Sequence, residues 1–530
     1  MSDQSSSEEG GGLAIGRPGG SQEGSGHPRG LYLLFATEMW ERFSFYGMRA
    51  IFVLFMSKAL LMSKAEASNI YGSYGGLVYL TPLLGGYMSD RFLGNRRSIL
   101  AGGLMMALGQ FLMFLSGSNI VDGVQSKTAV SLMWAGLTFL IIGNGFFKPN
   151  ISTMVGQLYP PGDRRVDAAF TIFYMGINLG AFFSPLVCGG IGDTGDIHDF
   201  RYGFLTACIG MLIGIVTFEW KKNKLLVSPD GQPVGMPRSP LDLRSLSVLV
   251  GSVAMIFFLL NFKTLFHTEH DAIAYLIYAS IFVMPMIILS DKGLSHEERS
   301  RISVIFILAL FVIFFWACFE QAGASLTLFA DAQTDRRIGS WVMPASFFQS
   351  VNPLAIIFLA PLFSMMWGAL GKRGLEPSSP MKMAFGLLLL ALGYMVIAFA
   401  VHGVDSNTKI NMWWLIMLYI LHTMGELSLS PIGLSMVSKL SPARFSSLLM
   451  GTWFLANAVA NKFAGTLSAL IPPGAGEAAA GPAVKIPTFL GFEVSNLFSF
   501  FCVFIGLSGT ASILLFVMYR WLEKKMHGVK

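Results

Sequence analysis

Residues 143–160, GNGFFKPNISTMVGQLYP, recur 282 residues later as residues 425–442, GELSLSPIGLSMVSKLSP, without a gap. Six of the 18 aligned positions are identical, and they include the leading glycine and both prolines. Shared apolar composition produces some matches by chance, but it does not place prolines and a glycine in the same register. The repeat therefore indicates a duplicated chain that folds into two similar halves.

The composition predicts that both halves lie in a membrane. Of the 530 residues, 53% are hydrophobic and only 13% are charged, and the mean hydropathy is +0.59. Soluble domains carry about a quarter charged residues. The loops are too short for a large soluble domain, so any chemistry is expected inside the helix bundle or at its ends.

Apolar segments separated by charged or Gly/Pro-rich breaks predict an all-α polytopic membrane protein. There are fourteen such segments, at about 31–57, 69–89, 98–117, 128–158, 166–190, 201–220, 245–262, 272–290, 302–330, 341–369, 382–402, 411–438, 445–471 and 490–519. Six precede and six follow a central pair. We therefore expect two six-helix bundles plus two extra helices between them, with the substrate site between the halves near the midplane.

The charge distribution predicts the orientation and the domain boundaries. With both termini cytoplasmic, the cytoplasmic segments hold 24 Lys and Arg and the outer segments hold 9; the opposite orientation would invert this positive-inside bias. The predicted parts are a disordered cytoplasmic tail at 1–30, a six-helix bundle at 31–220, a linker with two transmembrane helices at 221–300, and a second bundle at 301–530.

Several other classes of function are disfavoured. The net charge of +6 resides in short loops, so it does not indicate nucleic-acid binding. The four cysteines lie in apolar stretches without CxxC spacing, so neither a metal site nor a disulfide framework is predicted. A membrane-embedded hydrolase would need a motif such as HExxH or GxSxG, and a receptor would need an extramembrane sensing domain. We find neither, and we do not predict an enzyme.

The first predicted helix carries four charges in the stretch ATEMWERFSFYGMRA, residues 36–50. Charges inside an apolar helix are costly and indicate a functional site. At 3.6 residues per turn, one helical face carries Glu38, Glu41, Arg42, Phe45, Tyr46 and Arg49. Glu38 and Arg42 are spaced for pairing. The alternative is a self-neutralised helix end that reaches the membrane surface.

Four further charges lie inside other predicted helices, at Lys148, Glu320, Glu426 and Lys462. The first half then has an excess of bases and the second an excess of acids, which favours ion pairs across a central cavity. Because Lys148 and Glu426 lie in the two copies of the repeat, we expect them to approach each other there. Lys462 is expected to reach the outer surface.

Structural roles are expected for one histidine in a predicted helix and for one cluster of charged loop residues. His422 shares a helical face with Glu426, and we favour helix packing over a role as a proton partner. The charged loop residues Asp90, Arg91, Arg96 and Arg97 are expected to form a latch at the cytoplasmic face.

Six segments together resemble the proton-dependent oligopeptide transporter (POT) family of the major facilitator superfamily. They are EMWER at 38–42 for its ExxER motif, GGYMSDRFLGNRR at 85–97 for the superfamily loop after the second helix, GNGFFKPNIS at 143–152 for the Lys-Pro motif, AFTIFYMGINLGAFFSP at 169–185 for the fifth-helix signature, FQSVNP at 348–353 for the Asn-Pro motif and GELSLSP at 425–431 for the Gly-Glu-Leu motif. The resemblance covers nearly the whole chain. It implies the major facilitator fold, and the two extra helices resemble the prokaryotic branch.

The resemblance implies a proton-coupled symporter that imports di- and tripeptides by alternating access. Its partners would be peptides, protons and the lipid bilayer of a bacterial inner membrane, where the chain would act as a monomer without a cofactor. The implied proton-coupling residues are Glu38, Glu41, Arg42, Lys148 and Glu320. The implied peptide-binding residues are Tyr46, Arg49, Tyr79, Lys148, Asn178, Trp316, Asn352, Glu426 and Trp453. The alternative is a family relative that transports nitrate or another small organic anion.

Individual residues keep structural alternatives. Trp316 and Trp453 could face lipid, and the two asparagines of the implied site could bridge helices. Two positions also depart from family patterns: Phe45 replaces a tyrosine of many members, and Gly72 stands where animal members have a coupling histidine. Coupling would therefore depend on carboxylates.

Overall fold

The computed structural model describes residues 26–160, 162–236, 243–268, 270–405, 408–472 and 486–529. Most of the predicted tail at 1–30 lies outside these residues, and the described part enters the first helix at Arg29.

In the described part of the chain, each predicted apolar segment contains most of one long helix, although some bounds differ. The fourteen helices are α1 Arg29–Leu54, α2 Lys64–Met88, α3 Gly94–Ser118, α4 Lys127–Gln157, α5 Arg165–Gly192, α6 Phe200–Leu225, α7 Leu243–Leu260, α8 Ala272–Leu289, α9 His296–Phe319, α10 Val351–Lys372, α11 Ser379–Val401, α12 Met412–Leu440, α13 Ser446–Ser468 and α14 Leu497–Lys525.

Shorter elements lie between these helices. Helical turns occupy Phe55–Ala59, Ser89–Leu93, Ile197–Asp199, Phe262–Phe266, Glu320–Gly323, Ser325–Gln333, Ala345–Ser350 and Ala443–Phe445. The two-residue strands pair as Thr334–Asp335 with Ile410–Asn411 in parallel, and as Arg337–Ile338 with Trp341–Val342 and Thr488–Phe489 with Phe492–Glu493 in antiparallel hairpins. The predicted ninth segment is thus broken, because α9 ends before Glu320.

Ten helical stretches of the described chain are long and apolar enough to cross a membrane. One of them contains both α2 and α3, and α1, α7 and α13 are not among the ten. Helix α1 carries five charged residues, Arg29, Glu38, Glu41, Arg42 and Arg49. The fold is that of an all-α polytopic membrane protein.

The two halves repeat one close helix packing, which explains the glycine shared by the two copies. A Cβ atom added to Gly143 of α4 would lie 2.6 Å from the carbonyl oxygen of Gly102 in α3. A Cβ added to Gly425 of α12 would lie 2.7 Å from the carbonyl oxygen of Gly386 in α11. Small residues allow helix backbones to approach this closely. The duplication seen in the sequence is therefore a duplicated helix pair.

The halves contact each other along α2 with α13 and along α5 with α10. The hydrogen bonds between them include Ser68 with Ser468 at 2.8 Å, and Lys58 forms an ion pair with Asp331 at 2.7 Å. All four residues lie toward the predicted outer end of the bundle. The halves are therefore held together at that end.

The two extra helices attach to both halves. Helix α7 lies against α4, and α8 lies against α13 and α2. Lys462 of α13 joins this contact: its Nζ donates to Asp271, the N-cap of α8, at 2.6 Å and to Ser73 of α2 at 2.7 Å.

The expectation that Lys462 reaches the outer surface is wrong, because this residue is only 2% exposed. Asp271 pairs with the Lys462 ammonium group inside the bundle, and this ion pair replaces the hydration that the group would find at the surface. Burial acts to raise the pKa of the Asp271 carboxyl, but Lys462, the backbone N–H of Ala274 and Lys263 together lower it below its ordinary value. The pair fastens α8 to the seam between the halves.

The predicted cytoplasmic latch depends on Arg96. This buried guanidinium donates to the carbonyl oxygens of Leu226 and Val234, both at 2.6 Å, and to Asn223 Oδ1 at 2.9 Å. Arg96 thereby ties the start of α3 to the linker that follows α6. Arg91 instead bonds Tyr87 on the surface at 3.1 Å.

Candidate functional site

A cavity of about 240 Å³ lies between the two halves. Its walls come from helices of both bundles. It brings together eight of the residues predicted to bind peptide, namely Tyr46, Arg49, Tyr79, Lys148, Asn178, Trp316, Asn352 and Glu426. The aromatic residues and the charges therefore line one space.

Trp453 is the predicted peptide-binding residue that the structure places elsewhere. It is 4% exposed and absent from the cavity lining. A Cβ added to Gly433 of α12 would lie 2.3 Å from its indole ring, so the indole fills the space that this glycine leaves. Trp453 is thus a packing residue between α13 and α12, and it faces neither the cavity nor lipid.

Four of the predicted coupling residues form one buried network on α1 and α4. Arg42 makes a two-pronged ion pair with Glu41, and its Nε lies 3.3 Å from Glu38 Oε1. Lys148 of α4 donates to the same Glu38 oxygen at 3.1 Å. Asn144, one helical turn before Lys148, donates to Glu41 Oε1 at 3.2 Å. The network holds two acids and two bases, so its charges cancel.

Glu38 retains an open acceptor inside this network. Its Oε2 is buried and has no hydrogen-bond partner within the described residues. A buried carboxylate oxygen without a partner is costly unless it is protonated or meets a ligand or water. Glu38 is therefore the member of the network that keeps a free buried acceptor for a hydrogen-bond donor.

An ion pair joins the two halves at the side of the cavity. Arg49 Nη2 of α1 lies 2.6 Å from Oε2 of Glu320, which directly follows α9. The Arg49 guanidinium also lies over the rings of Tyr46 and Tyr71, at 5.6 and 6.0 Å. The helix break after α9 contains Gly323, which packs directly against Tyr71. A Cβ atom added at Gly323 would clash with the Tyr71 hydroxyl, so this close packing requires glycine. The expected ion pair across the cavity is thus formed by Arg49 and Glu320.

Glu426 also lines the cavity, and its partner is an amide. Asn352 Nδ2 of α10 donates to Glu426 Oε2 at 2.9 Å and contacts Thr423 Oγ1 at 3.0 Å. Glu426 forms no ion pair with any described residue. The expected approach of Lys148 to Glu426 as an ion pair is wrong, because Lys148 turns toward Glu38 of its own half.

Two further predicted residues lie at the cavity with contacts of their own. Asn178 lines it while donating to the Tyr174 carbonyl of its own helix at 3.0 Å. His422 is buried at the cavity, with its ring centroid 4.8 Å from that of Tyr394. This contact with α11 fits the favoured reading of His422 as a helix-packing residue.

Sequence reasoning missed several lining residues, including Tyr174, Phe319, Gln349, Tyr419 and Ser430. Helical spacing gave a signal for two of them: Tyr174 precedes Asn178 by four residues, and Tyr419 precedes Glu426 by seven. Gln349 lies within the quoted FQSVNP segment. Phe319 and Ser430 gave no comparable signal, because apolar helices contain many such residues.

The cavity is lined by bases of one half and acids of the other. Arg49 and Lys148 belong to the first half, Glu320 and Glu426 belong to the second, and aromatic residues of both halves also line it. A zwitterion whose charges are separated along a short chain complements such a site. Within the described residues, no group of three or more His, Cys, Asp or Glu side chains is placed to hold a metal ion.

The amino-acid sequence is similar to known transporters. The sequence profile described as "POT family" matches residues 96–480. The chain is 37% identical over 460 residues to "Peptide transporter YePEPT" from Yersinia enterocolitica subsp. palearctica, covering 83% of this chain and 88% of that protein. It is 33% identical over 458 residues to the "Di-/tripeptide transporter" of Lactococcus lactis subsp. lactis, covering 82% and 87%.

Solved structures show the same fold. A crystal structure of a peptide transporter POT in complex with sulfate matches with a TM-score of 0.79 and 33% identity, covering 96% of this chain and 98% of that chain. A POT family transporter in complex with 5-aminolevulinic acid matches with a TM-score of 0.77 and 32% identity, covering 95% and 98%.

Proposed function

The chain belongs to the POT family, and we propose that it imports di- and tripeptides together with protons by alternating access. The observation that carries this proposal is one cavity that is lined by Arg49 and Lys148 of one half and by Glu426 of the other. Peptide transport is further supported by relatives named as peptide and di-/tripeptide transporters. The family is one of transporters, and no enzymatic reaction is proposed.

The charges provide a common way to hold different peptides. The peptide ammonium group would bind Glu426, with Asn352 and Asn178 beside it, and the peptide carboxylate would bind Arg49 and Lys148. All di- and tripeptides share these two end groups, whereas their side chains differ. The side chains would lie against Tyr46, Tyr79 and Trp316, because aromatic walls accept varied shapes.

The same cations supply the link to protons. Arg49 is paired with Glu320 and Lys148 with Glu38, so a peptide carboxylate competes with both acids for their bases. A proton on Glu38, Glu41 or Glu320 weakens the corresponding ion pair, including the pair of Glu41 with Arg42. Proton and peptide would then favour the same rearrangement, each by its differential affinity for the two states.

The remaining parts of the proposal concern the membrane topology, the oligomeric state and the movement of the two halves. We propose that both termini are cytoplasmic, that all fourteen long helices cross a bacterial inner membrane, and that the chain acts as a monomer. The two six-helix units 31–220 and 301–530 would rock against each other, with 221–300 as an addition. The closed outer end fits one stage of such a cycle, in which the cavity is separated from the outer solution.

Uptake into proteoliposomes tests this function. Labelled dialanine should accumulate when a proton gradient is imposed and should only equilibrate when the gradient is dissipated. Unlabelled di- and tripeptides should compete, whereas nitrate and small monocarboxylates should not. Strong competition by nitrate with none by peptides would replace this proposal with the organic or inorganic anion alternative.

A further inference from the structure

Asp193 is a buried carboxyl group that joins the two halves at the predicted outer end. It directly follows α5 and is 7% exposed. Its Oδ2 accepts hydrogen bonds from both the backbone N–H and the side-chain hydroxyl of Ser346, each at 3.2 Å. Ser346 is the second residue of the helical stretch Ala345–Ser350, which leads into α10. The group that accepts these bonds therefore belongs to one half and both donors belong to the other.

The contact around Asp193 is tight. A Cβ added to Gly189 of α5 would lie 2.1 Å from the Ser346 hydroxyl oxygen, so glycine is needed for this approach. One turn further in, the hydroxyl of Ser350 donates to the Phe182 carbonyl at 2.8 Å. Separation of α5 from α10 would break all of these contacts and expose Asp193 to water.

The surroundings of Asp193 disfavour a negative charge. The carboxyl lies at the C-terminal end of α5, where the helix dipole is negative, while the start of the facing helical stretch offers two donors. The nearby charged groups are Lys58, Asp331 and Arg336. Lys58 and Arg336 both pair with Asp331, at 2.7 Å and 3.1 Å respectively. None of the ion pairs in the described chain neutralises Asp193.

Burial raises the pKa of Asp193 above its ordinary value, and the Ser346 hydrogen bond and Lys58 lower it by less. When the halves separate, the carboxyl would meet water and return toward its ordinary pKa. The closed arrangement therefore binds a proton more tightly than the open one. By linkage, closure gains stability as the outer pH falls and loses it as the pH rises through the raised pKa.

We propose that Asp193 is a proton-responsive latch of the outer gate, distinct from the coupling carboxylates of the cavity. In the open state it takes a proton from the outer solution, and the neutral carboxyl can close on Ser346 without burying a charge. On reopening, the proton returns to the same solution. Asp193 thus adjusts how readily the gate closes and carries no proton across the membrane.

The gate can be observed directly without measuring transport. Spin labels on cysteines introduced at Val124 and Val404, which are exposed in outer loops of the two halves, report the separation of the halves by double electron–electron resonance. The full chain would be measured in lipid nanodiscs over a series of pH values. Cys502 would be replaced by serine in every sample, because the other three cysteines are buried.

We expect the short-distance population to rise as the pH falls in the parent protein. Asp193→Asn imitates the neutral carboxyl, so it should keep the short distance at high pH and lose most of the pH dependence. Each unit of pKa difference between the two states changes the ratio of closed to open by up to about tenfold. Asp122→Asn removes an exposed outer carboxyl and should behave like the parent protein. An Asp193→Asn variant with the parental pH curve would overturn the proposal.

Ser346→Ala provides a second test, because a contact that only holds the helices together would not change the midpoint of the pH curve. The Ser346 hydroxyl stabilises the charged carboxylate of Asp193 more than the neutral carboxyl. Its loss should therefore raise the pKa of Asp193 in the closed state and move the midpoint of the pH curve to higher pH. A lower closed population with an unmoved midpoint would reduce Asp193 to a packing contact and contradict the latch. This inference assumes alternating access, but its distance readout does not depend on peptide or proton transport. Failure of the transport proposal would therefore be distinguishable.

Discussion

The two copies of the repeat, 143–160 and 425–442, keep the same packing but carry different polar groups. Each begins with a glycine that lies against a glycine carbonyl of the preceding helix. In the gapless alignment, however, Asn144 corresponds to Glu426, and Lys148 corresponds to Ser430. Duplication has thus preserved the helix packing, while the polar residues at these positions have diverged.

This divergence separates two kinds of chemistry. In the first half, Asn144 donates to Glu41, whose charge is already matched by Arg42. In the second half, the corresponding residue is itself the acid, and Glu426 accepts from Asn352 without an ion-pair partner in the described chain. The first copy therefore supports a self-neutralised network, whereas the second leaves a carboxylate available to a cationic ligand group.

The largest expected effect comes from removing the unmatched charge. Glu426→Gln should weaken dialanine binding by about 100-fold or more, since breaking a desolvated charge pair on one side costs about 3 to 5 kcal/mol. Titration calorimetry on the purified protein measures this directly. Glu297→Gln, which changes a surface acid paired with Arg301, is the control. Unchanged affinity in Glu426→Gln would remove this residue from the ammonium site.

The two acids of the first-half network, and Glu320, which pairs with Arg49, should affect proton coupling rather than peptide binding. We expect Gln at the responsible member of Glu38, Glu41 and Glu320 to abolish accumulation driven by a proton gradient. Exchange of labelled for unlabelled peptide should persist in part, because exchange does not require the empty carrier to return. If all three variants accumulate peptide like the parent protein, proton coupling lies elsewhere.

The shared packing predicts equal losses of stability in the two halves. Gly143→Ala and Gly425→Ala both add a methyl group against backbone, so each should destabilise the fold by about 1 to 3 kcal/mol. Thermal unfolding in detergent compares them with Gly506→Ala, where a Cβ meets no atom within 4 Å. A large loss at one repeat glycine and none at the other would show that the duplicated packing is not equivalent.

The smallest effect concerns the pairing of Lys148. Because Lys148 contacts Glu38, a double-mutant cycle of Lys148→Ala with Glu38→Gln should give a coupling energy of about 0.5 to 3 kcal/mol in unfolding stability. The cycle of Lys148→Ala with Glu426→Ala should be additive within about 0.5 kcal/mol. The opposite pattern would restore the direct pair across the cavity that the repeat alone suggested.

Most of the fold was predictable because apolar length and charged breaks determine membrane helices. The break at Glu320 was not, since the apolar segment 302–330 contains no proline and continues into the short helix Ser325–Gln333. The shared face of α1 was predictable for a similar reason: helical period alone places Glu38, Arg42 and Arg49 together.

The errors arose where a partner lies far away in the sequence. The buried position of Lys462 depends on Asp271, 191 residues away, and nothing in the sequence around Lys462 indicates it. Trp453 was misplaced because its helix is apolar on several faces, and only Gly433 of a neighbouring helix reveals which face packs. For Lys148, two acids of opposite halves were possible partners, and three-dimensional structure was needed to choose Glu38.

The central claim is that Glu426 of the second half receives the peptide ammonium group. The most direct test measures the affinities of dialanine and N-acetyl-dialanine for the parent protein and for Glu426→Gln. We predict that acetylation, which removes the ammonium charge, weakens binding strongly in the parent protein and changes it little further in Glu426→Gln. An equal loss on acetylation in both proteins would contradict the claim, because the ammonium group would then be recognised elsewhere.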